Sequence, residues 1–106
     1  MSKYIDSESA LTRVGGNMAL YKKLLVKFKD GEYREKLEAL ITGGDIEGAT
    51  AMAHTLKGVA ANLSLTEVHA LSLQIETALK NGGDYASLLP QLTEASEATL
   101  AEIDTL

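Results

Sequence analysis

Apolar residues return every three or four positions along most of this chain, with polar residues filling the gaps. From Met18 to Ile41 the series is Leu20, Leu24, Phe28, Leu37, Leu40 and Ile41. From Asp45 to Leu63 it is Ala49, Met52, Ala53, Leu56, Ala60 and Leu63, and from Thr66 to Lys80 it is Val68, Leu71, Ser72, Ile75 and Leu79. The last segment, Tyr85 to about Ile103, carries Leu88, Leu89, Leu92 and Ala95, then Ala98 or Thr99, and Glu102 or Ile103. Such spacing gives each of four helices one apolar stripe to bury. Gly31 interrupts the first, marking a close packing contact or a local weak point. Pro90 either kinks the last or opens its second part. A short leading helix, about Ser7 to Arg13, covers one end.

The breaks between these segments carry their own chemistry. Gly15-Gly16-Asn17, Gly43-Gly44-Asp45 and Asn81-Gly82-Gly83-Asp84 each join a glycine that ends a helix to an Asn or Asp that caps the next. Ser64 or Thr66 is the candidate cap for the helix from Thr66, with Glu67 suited to its dipole. The expected fold is all-α: an antiparallel up-down four-helix bundle with a short N-terminal helix, one domain over residues 1–106.

Composition agrees and narrows the function. Hydrophobic residues reach 45% while aromatics reach only 5%, with no tryptophan and one proline, which suits packed helices better than a sheet. Ten Lys+Arg against fifteen Asp+Glu give a net charge of −5, which speaks against nucleic-acid binding because no basic surplus exists to neutralise phosphates. The absence of cysteine excludes disulfides, iron–sulfur clusters and cysteine-ligated zinc. No apolar run nears the roughly 20 residues needed to cross a bilayer, and MSKYIDSES lacks a signal peptide's apolar core. A cytoplasmic protein without membrane insertion is expected.

The stretch Met52–Asn62, MAHTLKGVAAN, sets a histidine, a lysine and a glycine inside a helix. Glycine there costs roughly 0.8–1 kcal/mol relative to alanine and so needs a reason. His54, Lys57, Gly58 and Ala61 share a stripe turned away from the apolar one, so the imidazole faces solvent with a cation beside it. The missing side chain at Gly58 leaves a flat approach by which a second protein could reach the ring. Counting back from the turn near Ser64 and Leu65 puts His54 level with Ile75 or Glu76 on the antiparallel neighbour. Ile75 belongs to the core, which leaves Glu76 to accept a hydrogen bond from Nδ1–H and keep the Nε2 lone pair outward. Nε2 could then attack an activated phosphoryl group while Lys57 offsets the arriving charge. The chain lacks a Walker-type loop, a kinase signature and a nucleotide-binding unit, so donor and metal must come from a partner.

At these residues the sequence resembles the histidine-containing phosphotransfer (HPt) family of bacterial and fungal phosphorelays. The family pattern AHxLKGxxxNLG is matched by Ala53-His54-Thr55-Leu56-Lys57-Gly58 and Asn62-Leu63, with Ser64 in place of the usual glycine or small residue. Upstream, Gly15-Gly16 followed by Leu20, Tyr21, Leu24, Leu25 and Phe28 resembles GGxxxLYxxLLxxF. Downstream, Gln74-Ile75-Glu76 falls where the family has LE. The resemblance covers roughly residues 10 to 80. It implies that His54 is phosphorylated, Lys57 supports the phosphoryl group, Glu76 orients the ring and Gly58 allows receiver docking. It also implies response-regulator receiver domains and a (hybrid) histidine kinase as partners, with Mg²⁺ held by the receiver and no cofactor of the chain's own.

Around the imidazole, Met52, Val59, Ala61 and Leu73 form a candidate apolar docking patch rimmed by Lys57 and Lys80, a suitable face for a receiver's acidic pocket and apolar helix. His69 shares a stripe with Leu73, Glu76 and Lys80, but lies nearer the turn than His54. It reads as a surface histidine at the docking rim rather than a metal ligand, and no metal site is expected. A monomer is expected. Two other readings stay open: a helical adaptor that binds a signalling partner without accepting phosphate, and the phosphotransfer segment of a chemotaxis-type kinase.

Overall fold

A computed structural model describes residues 4–105. In chain order it holds α1 (Ser7–Arg13), α2 (Met18–Asp30), α3 (Tyr33–Thr42), α4 (Ile46–Asn62), α5 (Thr66–Asn81) and α6 (Leu89–Asp104). All regular structure among the described residues is helical. The glycine-and-cap punctuation acts as expected at two starts, those of α2 and α4. Asn17 Oδ1 accepts from the Leu20 amide at 3.0 Å, and Asp45 Oδ1 accepts from the Gly48 amide at 2.8 Å. Asp84 Oδ1 accepts from the Ser87 amide at 3.1 Å, but this bond closes a turn ahead of α6 rather than capping it, since Leu88 holds the cap position. Gly44 and Gly82 take φ of +78° and +70°, the left-handed turn that ends a helix and that a side chain would resist.

The expected helix from Met18 to Ile41 is two helices. Glu32 sits at φ 50°, ψ 44°, a conformation no right-handed helix can pass through. The reason lies in the rings on either side. Tyr33 folds back to stack on Phe28 with centroids 5.8 Å apart. A Cβ on Gly31 would meet Tyr33 Cε2 at 2.6 Å, so Gly31 is a close packing contact. The buried stripe of α2 is also one step from the expected series. Tyr21, Leu25 and Phe28 are buried, whereas Leu24 is half-buried and Leu20 stays 41% exposed.

Two further starts differ from expectation. Neither Ser64 nor Thr66 caps α5: Leu65 occupies that position and makes no side-chain cap bond. Ser64 instead turns at φ 56°, at the position where the resembled pattern has glycine. The N-terminal segment clamps this turn, with the Asp6 amide donating to Ser64 O at 2.9 Å and the Thr66 amide donating to Tyr4 O at 3.0 Å. The last helix opens at Leu89 rather than Tyr85. Pro90 stands in its first turn, where a missing N–H leaves no bond unmade.

The helices pack side by side. α4 and α5 form a tight antiparallel hairpin, α3 lies against α4 and α6, and α6 also lies against α5. Leu37, Leu56, Leu65, Ile75 and Leu92 fill the space between them with almost no exposure. α2 packs on α6 and ties itself to the end of α4 through Tyr21, whose buried hydroxyl donates to Leu63 O at 2.9 Å. Burial pushes that phenol up to about 12.

Candidate functional site

The hairpin of α4 and α5 sets the site. Ala49, Ala53 and Ala60 are fully buried on α4, and such small side chains let a neighbouring helix approach closely. One turn of α4 then presents His54 on the open side while α5 brings Glu76 behind it. Nδ1 of His54 lies 2.8 Å from Oε2 of Glu76. The histidine side chain is 67% exposed and the glutamate side chain 4%. A solvent-facing ring is thus anchored by a carboxylate that belongs to the interior.

A buried carboxylate must be paired to stay charged. Lys57 Nζ sits 2.8 Å from Oε1, and Lys80 Nζ sits 3.2 Å from Oε2. The Lys57 bond, helped by those from His54 and Lys80, outweighs burial and holds the Glu76 carboxyl at about 2. An ionised carboxylate only accepts, so the imidazole nitrogen facing it must donate. The neutral ring is therefore fixed as the Nδ1–H tautomer, and its Nε2 lone pair points away from Glu76. Such a ring can act as a nucleophile or a base toward a group brought from outside.

The structure thus brings together His54, Lys57 and Glu76, as the periodicity predicts. It adds Lys80 as a second lysine on Glu76. The sequence signal was its four-residue spacing from Glu76, a separation that pairs side chains on a helix. Gly58 is exposed, and a Cβ built there would meet nothing within 4 Å. No packing inside the molecule requires glycine at this position.

The four apolar docking candidates do not share one depression. Ala61 is half-buried and lines a concavity with Arg13, Ser64 and His69, between α1 and the hairpin turn. Leu73 is 44% exposed and borders a shallow depression with Thr77, Ala78 and Leu88. Met52 and Val59 are half-buried, and Val59 joins Leu24, Phe28 and Asn62 in a third concavity toward α2. His69, beside Ala61, is not among the partners of Glu76. Among the described residues, no group of three His, Asp or Glu is placed to hold a metal ion, and no helix is long and apolar enough to cross a membrane.

In comparison with known proteins, the family model described as Hpt domain matches residues 30–106. The Gly15–Phe28 segment lies outside that span. No curated protein and no solved structure matches the chain.

Proposed function

We propose, because the chain belongs to the Hpt domain family, that His54 is the residue on which it carries a phosphoryl group. Hpt domains are phosphocarrier modules of two-component signalling, and histidine phosphotransfer is their chemistry. The observation that carries the assignment to His54 is its Nδ1 contact with Glu76, which leaves Nε2 free on an exposed face.

In the step we envisage, a receiver domain presents its phospho-aspartate to Nε2. A bond forms from Nε2 to phosphorus, and the bond from phosphorus to the aspartate oxygen breaks, its electron pair remaining on that carboxylate. The Nδ1 proton stays on the ring against Glu76, whose charge stabilises the imidazolium character that develops. Lys57 holds the carboxylate in place and adds positive potential behind the ring. Transfer onward reverses these events on a second receiver. Magnesium and leaving-group activation belong to the receiver.

The finer features follow the same reading. α2 and α3 together act as one interrupted wall beside α4, α5 and α6, giving an antiparallel four-helix bundle with α1 over one end. A hybrid histidine kinase and response-regulator receivers are the partners, met in the cytoplasm by a monomer that works as one domain. Gly58 supplies the clearance for a receiver's backbone, since a side chain there is excluded by nothing inside the molecule.

Incubation with a ³²P-phosphorylated receiver tests the proposal. Acid-labile, base-stable label should appear on the chain and vanish in His54→Gln. Binding of the receiver with no transfer of label would favour the adaptor reading instead.

A further inference from the structure

Glu76 carries one negative charge and is met by two ammonium groups, Lys57 and Lys80, in addition to the imidazole. The cluster therefore holds one cation more than its buried carboxylate needs, in a protein whose net charge is −5. The two lysines are not equivalent. Lys57 is held on Oε1 at 2.8 Å with its side chain 25% exposed, whereas Lys80 reaches Oε2 at 3.2 Å with its side chain 60% exposed. Moving Lys57 away would strand a desolvated carboxylate, which is costly. Moving Lys80 away removes a longer contact that water can replace, and a lysine stem turns freely at its four carbons.

Lys80 also stands on the oxygen of Glu76 that anchors the ring, within a lysine side chain's swing of the imidazole. Its Nζ and the imidazole Nδ1 share the same oxygen of Glu76, so they are no farther apart than those two contacts together. We infer that Lys80 is the mobile cation of the site: it leaves Glu76 to pair with the phosphoryl group on His54, while Lys57 stays as the fixed counter-ion of Glu76. The inference rests on the carrier reading only in that His54 must hold a phosphoryl group. The charged groups gathered behind the ring are Lys57, Glu76 and Lys80, and their one surplus positive charge offsets part of an arriving dianion.

Phosphoramidate tests this without a receiver. Nε2 forms a bond to its phosphorus while the phosphorus–nitrogen bond breaks, the electron pair leaving with ammonia. On phosphorylation the Nζ resonance of Lys80 should shift and that of Lys57 should hold. The ³¹P signal of the phosphohistidine should titrate at higher pH in Lys80→Met, half-protonation needing about two- to fivefold less acid than in the parent. Lys80→Arg should restore the parent midpoint. A ³¹P midpoint unchanged in Lys80→Met, a shift of the Lys57 resonance alone, or failure of phosphoramidate to label His54 would each overturn the inference. Labelling by phosphoramidate with none from a phosphorylated receiver would count against the carrier reading and leave the Lys80 result standing by itself.

Discussion

His54 and Glu76 lie 22 residues apart in sequence and 2.8 Å apart in space, an exposed imidazole bonded to a carboxylate within the α4–α5 interface. The pair divides two tasks. The ring can meet a partner because it is outside, and it holds one tautomer and one orientation because its anchor is inside.

Removing the ring should abolish function and spare the fold. His54→Gln loses a mostly exposed side chain, and surface substitutions usually change stability by no more than about 0.5 kcal/mol. Label from a phosphorylated receiver should disappear while the thermal midpoint stays near that of the parent. A variant that still takes up acid-labile label would place the phosphoryl group elsewhere.

Neutralising Glu76 should cost both activity and stability. Glu76→Gln keeps the shape but removes the charge that orients the ring and pairs Lys57. Hydrogen bonds to charged groups contribute roughly 1.5–3 kcal/mol, so phosphorylation by phosphoramidate should slow about tenfold or more. The urea midpoint should fall as well, because Lys57 loses its buried partner.

The same carboxyl makes stability depend on acid. Its value is lowered from 4.5 to about 2, chiefly by Lys57, so ionisation favours the folded state. That stabilisation is complete above pH 4.5 and is lost as pH falls from there through 2. Urea unfolding at stepped pH should show the gap between parent and Glu76→Gln narrowing across this window. A constant gap would mean that Glu76 titrates alike in both states.

At Gly58, stability and transfer should move in opposite directions. Gly58→Ala should stabilise the chain by up to about 1 kcal/mol, because a helical Cβ there meets open space. Gly58→Trp should slow transfer from a receiver at least tenfold while phosphoramidate labels His54 at the parent rate. Equal receiver rates would remove the clearance role.

Gly31 should behave in the opposite sense. A Cβ there meets the Tyr33 ring, so Gly31→Ala should destabilise by about 1 kcal/mol despite better helix propensity. In a Tyr33→Ala background the same change should become neutral or stabilising. Thermal unfolding of the four chains in that cycle decides it.

The pattern of the chain made much of this legible. The stripes of α4 and α5 predicted their buried apolar residues, though not the burial of Glu76, and the length of the hairpin arm was enough to pair His54 with Glu76. Other features depended on contacts between distant parts. The break at Glu32 follows from Tyr33 stacking on Phe28, which no apolar periodicity encodes. Leu20 looked like core because its spacing fits a stripe, yet Tyr21 takes the buried position by reaching Leu63 O. Tyr4 and Asp6 hold the turn before α5, so neither Ser64 nor Thr66 was needed as a cap.

The sequence by itself determined the helical architecture, the ends of most helices and the face on which His54 stands, because these depend on local geometry repeated every turn. Only the tertiary structure decided how charge is shared behind that face. Which lysine is locked on Glu76 and which remains exposed depends on how deeply α5 seats the carboxylate against α4, a distance that helical periodicity does not contain.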